Sequence, residues 1–471
     1  MGHQTDIVDR LRQIAGSESV LDAPDAMAPY LRDWRKLYQG KARAVVRPAT
    51  VDAVAAIVRF CAEHGVGIVP QGGNTGLVGG ATPAGDGSEI VLSLGRLNRI
   101  RSVDPLDFTL VADAGCILAD IQTAAASVNR LFPLSLGAEG TCQIGGNIAT
   151  NAGGINVLRY GNTRDLVLGL EVVLADGTVW NDLRRVRKDN TGYALRQLLI
   201  GSEGTLAIIT AAALKLFPLP RQRVTALAAM ATVEQASDLF SRCMEQAGEF
   251  VTSFEYMSSA AVKLAVDTIP GSKQPFEKPH GTYVLIELAA SLDEPPLGTI
   301  LERFLGDALE QNTIADAILP DSEAKRSTFW RLREAVVEAQ RIGGICIKHD
   351  VSVPVSAVPA FIAAADAKVE ATLPGTRILP FGHIGDGNIH YNLMRPLSSD
   401  DEGFRRHGPT LTKAVHDVVG SFSGSFSAEH GLGQMRRGEA SDRKSPTERV
   451  LMAQIKSLFD PSGILNRGKV F

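Results

Sequence analysis

Between residues 42 and 218 short apolar runs alternate with polar and glycine-rich breaks, at intervals that fit strands and helices in turn. Residues 42–48 read as a strand. Thr50 then stands as a cap before Val51, Val54, Ile57, Val58 and Cys61, which recur at helical spacing, with Gly65 as the stop. GIVP (67–70) predicts a short strand, as do EIVLSL (89–94) and FTLVADAG (108–115). Residues 166–180 predict a hairpin turning at Asp176-Gly177, and 204–218 predict a last strand pair. FPLPR (217–221) reads as a linker. From 222 to 425 helical stretches alternate with strands such as TYVLIELAA (282–290), a mixture that predicts an antiparallel sheet with helices on one face. The last stretch carries one amphipathic helix, Pro446–Phe459. The expected division is 1–220, 221–425 and a C-terminal segment 426–471.

Glycine supports that division. Of 46 glycines in 471 residues, nine fall in 65–87 and seven in 137–161, while 218–380 holds eight. A loop-rich ligand-binding domain is therefore expected first. A chain 45% hydrophobic and 21% charged can bury full cores and is too apolar for intrinsic disorder. Its formal charge of −4, with no long block of one sign, argues against a nucleic-acid protein. Five scattered cysteines, without a C-x-x-C pair, fit reduced and mostly buried thiols. The N-terminus lacks an apolar signal core and no run of about 18 apolar residues appears, so a cytoplasmic protein without a transmembrane segment is expected.

Three glycine loops carry candidate chemistry. The first is Pro70-Gln71-Gly72-Gly73-Asn74-Thr75-Gly76, followed by Leu77; the second, 136–154, contains Gly145, Gly146, Asn147, Asn151, Gly153 and Gly154; the third is Ile200-Gly201-Ser202-Glu203-Gly204-Thr205. Successive glycines let backbone N–H groups approach phosphate oxygens without interference from a Cβ. One loop alone is most simply a turn, but three in one domain point to a nucleotide. No G-x-x-x-x-G-K-[ST] is present and no G-x-G-x-x-G opens a helix, which disfavours the P-loop and Rossmann solutions.

RPATVDAVAAIVRFCAEHGVGIVPQGGNTGLVGG, GGNIATNAGG and IGSEGTLAIIT, in that order, resemble FAD-linked oxidoreductases related to p-cresol methylhydroxylase and vanillyl-alcohol oxidase. The resemblance covers essentially the whole chain. It implies an α+β fold with a two-lobed FAD-binding domain, a substrate domain with an antiparallel sheet and helices, and a small C-terminal helical segment returning to the flavin. Carried over, Pro70 to Leu77 hold the diphosphate. Gly137, Thr141, Gly145, Gly146, Asn147 and Gly153 lie along the flavin, while Gly201, Gly204, Ile208 and Asn466 contact the remainder. Where several covalent-flavin relatives carry a histidine this chain has Asn74, so non-covalent FAD is expected.

Two further segments concentrate histidine: PFGHIGDGNIHYNLM (380–394) and SAEHGLG (427–433). Two imidazoles and a carboxylate can ligate Zn²⁺ or a similar divalent ion. Spacing alone leaves that reading and satisfied loop residues both open. The segments resemble the metal-site motifs of the D-2-hydroxyacid dehydrogenase branch, and the resemblance implies His383, His390 and Glu429 as ligands, His430 as general base and Asn392 as a substrate contact. In FWRLREAVVEAQRIGGICIKHDVSVP (329–354), Arg333 and Lys348 match that branch's carboxylate clamp, since arginine can grip a carboxylate with a bidentate fork. Val337 replaces a substrate-contacting threonine of the branch, which leaves the substrate's side chain open.

The implied reaction oxidises a (D)-2-hydroxy acid to the 2-keto acid. D-2-hydroxyglutarate is favoured, and D-lactate or D-malate is an alternative. Electrons then pass to an external acceptor: an electron-transfer flavoprotein, a quinone or a cytochrome. An O₂-using oxidase and a non-catalytic FAD-carrying subunit of a glycolate-oxidase-like complex are the competing readings. A homodimer is among the assemblies compatible with the sequence.

Overall fold

The computed structural model describes residues 2–470, which form two compact units. The first comprises the chain up to Gly154, Gly161–Leu219, and Glu429 onward. The second comprises Ile155–Tyr160 and Pro220–Ala428.

In the first unit a four-stranded sheet runs in the order Val20–Leu21, Val45–Val46, Glu89–Ser93, Gly67–Gln71. The helix Val51–His64 precedes the last of these strands in the chain. The Thr50 hydroxyl accepts from the Ala53 N–H at its start, and Gly65 ends it at φ 63°, in the left-handed region that glycine tolerates. The C-terminal tail bridges this sheet in parallel at Ile68 and Leu465, which brings Asn466 to the strand feeding the first glycine loop. A second, antiparallel sheet orders Ile100–Asp104, Thr109–Asp113, Ile208–Lys215, Val167–Val173 and Val179–Asp182. The turn at Asp176-Gly177 is as expected, with Gly177 at φ 80°.

Two expectations need correction here. Residues 204–218 are not a strand pair. They contain one central strand, Ile208–Lys215, flanked on both sides by partners and almost wholly buried. Nor is 217–221 wholly a linker, since Phe217–Pro218 pairs with Arg130–Leu131.

The second unit is built on one eight-stranded antiparallel sheet. Alternate residues of its central strands feed separate cores. Ala226, Ala228, Val284 and Ile286 pack with Leu239, Leu301, Phe361 and Val415. Leu227, Ala229, Tyr283 and Leu285 pack with Ala261, Phe329 and Val336. Helices therefore cover both faces rather than one. The reason is visible in Thr282–Ala290, where every residue is buried, as expected of a strand covered on two sides. Among the described residues no helix is long and apolar enough to cross a membrane.

Candidate active site

In the first unit the glycine loops surround a cleft lined by Pro70 to Gly76, Gly145, Gly146, Asn147, Gly204, His430 and Asn466. The first loop leaves its strand at Gln71, whose buried amide donates to the carbonyls of Tyr30 (2.9 Å) and Ala81 (2.8 Å) and so pins the loop's base. Asn74 holds a left-handed φ of 52° and donates to the Arg32 carbonyl at 2.9 Å. Two of the loop glycines allow close approach to a neighbouring segment. A Cβ on Gly73 would stand 2.2 Å from the Thr141 carbonyl oxygen, and one on Gly145 would stand 2.6 Å from the Ala114 Cβ. Gly76 and Gly146, by contrast, face open space.

Three buried acceptors around the cleft, Gln143 Oε1, Asn147 Oδ1 and Asn466 Oδ1, have no donor among the described residues. Buried polar atoms ordinarily find partners, so this cleft suits a ligand rich in hydroxyl and N–H groups. FAD is such a ligand. Leu77, Gly137, Thr141, Gly153, Gly201 and Ile208 lie outside the cleft's lining, where Ala207 and Ile209 stand instead. Strand alternation explains the last exchange, because Ile208 and Ile209 point to opposite faces. Gly153 has a different neighbour: a Cβ there would come within 2.9 Å of Glu429 Oε1. That same oxygen accepts the Gly154 N–H at 2.9 Å.

The second unit assembles its own polar cluster. His383 ends the strand Arg377–His383 and lies in register with Glu255 on Val251–Ser258. Its Nδ1 is 2.6 Å from Glu255 Oε1, while Glu255 Oε2 accepts from Arg333 Nε at 2.8 Å. The Arg333 guanidinium also lies 4.8 Å from the centre of the Phe381 ring. Burial alone would raise the Glu255 carboxyl, but His383 and Arg333 outweigh it and hold it down at about 2. His390 stands on the adjacent strand, its ring centre 5.5 Å from that of His383 and its Nδ1 3.7 Å from Asp350 Oδ1. Burial also pushes Asp386 up to about 6.

The remaining candidates fall into different settings. Asn392 is buried and engaged by protein groups: its Oδ1 accepts the His349 N–H at 3.0 Å and its Nδ2 donates to Gln340 at 2.8 Å. Lys348 is half-buried. Val337 follows Arg333 by about one helical turn on Glu323–Ile342 and is 44% exposed, whereas Arg333 is 7% exposed. Glu255 and Glu203 escaped the sequence reading. The available sign for Glu255 was a lone carboxylate inside the strand-like run VTSFEYMS.

Comparison with known proteins matches residues 42–182 to the FAD binding domain and 219–470 to the FAD linked oxidases, C-terminal domain. The chain is 39% identical over 455 residues to the mitochondrial D-2-hydroxyglutarate dehydrogenase of Bos taurus, covering 96% of this chain and 81% of that one. It is 36% identical to the D-2-hydroxyglutarate dehydrogenase of Xanthomonas citri pv. viticola, covering 98% and 96%. A crystal structure of substrate-bound p-cresol methylhydroxylase shares the fold, with TM-score 0.79, 16% identity, and 100% and 97% coverage. The chain belongs to the FAD-linked oxidases, as an FAD-binding oxidoreductase acting on a CH–OH donor.

Proposed function

We propose that this protein oxidises D-2-hydroxyglutarate to its 2-keto acid, using a divalent ion held by His383, His390 and Glu429. The observation that carries the reading is Glu255, one buried carboxylate that orients both an imidazole and a guanidinium. A metal-binding histidine characteristically gives its second ring nitrogen to a carboxylate, and the Glu255 contact at Nδ1 turns His383 Nε2 toward a ligand role. Two imidazoles and one carboxylate suit zinc with a coordination position left for substrate. The names of the bovine and bacterial relatives favour the five-carbon substrate.

FAD, when bound, supplies the acceptor for two electrons and the C2 hydrogen. A divalent ion, when bound, supplies Lewis acidity toward the C2 hydroxyl. His430, in the lining of the FAD cleft, takes the hydroxyl proton on an imidazole nitrogen. Arg333 and Lys348 bind the substrate's distal carboxylate, with Glu255 fixing the Arg333 fork through Nε. The electrons then leave to a separate acceptor protein or quinone.

A panel of D-2-hydroxyglutarate, L-2-hydroxyglutarate, D-malate, D-lactate and glycolate, assayed with a dye acceptor before and after chelation, tests this reading. D-2-hydroxyglutarate should give the highest kcat/KM, and chelation should abolish turnover while leaving the flavin spectrum nearly unchanged. Full activity in a verified metal-free sample would remove the metal from the mechanism.

A further inference from the structure

The turn that carries His430 is held from outside by a residue with no assigned role. Glu203 lies in the third glycine loop and is 9% exposed. Its two carboxylate oxygens accept separate backbone N–H groups: Oε1 from Leu432 at 2.7 Å and Oε2 from Gly433 at 2.8 Å. These amides lie two and three residues beyond His430. The residue's own backbone is tied as firmly. Its N–H donates to the Ala149 carbonyl at 2.8 Å, and its carbonyl accepts from Asn466 Nδ2 at 2.7 Å.

The local sequence fits this arrangement. Glu203 adopts φ 51°, a left-handed conformation uncommon for a residue with a side chain. Gly431, at φ 77°, passes so close that a Cβ would stand 2.7 Å from Glu203 Oε1, and Gly433 is at φ 49°. Beyond the carboxylate, the Gln434 and Met435 N–H groups both reach the Val78 carbonyl. On the other side of His430, Glu429 is held by Gly154. His430 is thus bracketed by fixed points, and both it and Glu203 line the FAD cleft.

A buried carboxylate held by backbone amides is a costly brace, and burial pushes its carboxyl pKa up against the opposing pull of those amides. A glutamine could not replace it. Two N–H groups point at two oxygens, so the amide NH₂ would always face one of them, donor against donor. We propose that Glu203 is the positioning residue of the Glu429–Gly433 turn and sets the aim of the His430 imidazole into the flavin cleft. This rests on the reading of His430 as the base.

The test compares wild type, Glu203→Gln and Glu203→Asp as FAD holoenzymes. Aim matters steeply in catalysis, with roughly 10²-fold lost for a misplacement near 1 Å. Glu203→Gln should therefore retain FAD near stoichiometrically, yet reduce its flavin with D-2-hydroxyglutarate about 10- to 100-fold more slowly in an anaerobic single turnover. Reoxidation by a dye acceptor should not change. Glu203→Asp, which restores two acceptor oxygens, should recover part of the rate and serves as the folded variant if the glutamine form fails to fold. Independently of turnover, carbethoxylation of His430 by diethylpyrocarbonate, followed by peptide mass spectrometry, should be faster in Glu203→Gln than in wild type. Wild-type reduction and modification rates in Glu203→Gln would overturn the proposal, as would loss of FAD with no rate change in the flavin-bound fraction. If wild-type flavin is not reduced by any 2-hydroxy acid, the reaction assignment fails, and the modification rates alone decide whether Glu203 aims His430.

Discussion

Replacing Glu255 by glutamine should cost the second unit far more than a surface substitution would. Glu255 is 1% exposed and Arg333 7% exposed, and they meet at 2.8 Å. Glutamine keeps the shape, but with its oxygen toward the His383 N–H its NH₂ faces Arg333 Nε, so the change removes both the charge and the acceptor opposite a buried guanidinium. Breaking one side of such a pair typically costs about 3–5 kcal/mol. A cooperative unit of roughly 200 residues shifts by about 2–4 °C per kcal/mol, so the expected fall in Tm is about 6–20 °C. Differential scanning calorimetry of the metal-free protein would measure it. The decisive comparison is the double variant Glu255→Gln/Arg333→Met, which removes the stranded charge and should recover at least half of the loss. If the single variant moves Tm by less than about 3 °C, or if the two substitutions simply add, Glu255 is not the counter-ion of Arg333.

Gly146 faces open space within the FAD cleft, so Gly146→Leu should leave the Tm of FAD-free protein nearly unchanged while FAD occupancy, read at 450 nm, falls at least about tenfold. Unchanged occupancy would show that FAD does not pass over Gly146. Acid precipitation of the purified protein should release its flavin into the supernatant, because Asn74 stands where a linking histidine could have been. Flavin that stays with the pellet would contradict non-covalent binding.

Much of the first unit was legible because its determinants are local. Thr50 and Gly65 bracket a helix through bonds that span three or four residues, and Asp176-Gly177 turns a hairpin on its own backbone preference. The buried acids were not legible in this way. Glu255 gains its meaning from Arg333, 78 residues away, and His383, 128 away, and Glu203 from amides about 230 residues on. No periodicity reports such partners. Between these extremes lies the sheet of the second unit. The run Thr282–Ala290, apolar on both alternations apart from Thr282 and Glu287, already implied cover on both faces, and the alternation Ile208/Ile209 was a matter of one residue of register.

The most direct measurement is anaerobic stopped-flow reduction of the bound flavin by D-2-hydroxyglutarate in wild type, His430→Asn and Glu429→Gln, with metal and FAD content determined on the same samples. His430→Asn should keep both metal and FAD and lose about 10²–10⁴ in reduction rate, the usual worth of a positioned general base. Glu429→Gln should lose metal and activity together. A His430→Asn enzyme that reduces its flavin at the wild-type rate, or that loses its metal, would contradict the assignment of His430 as the base.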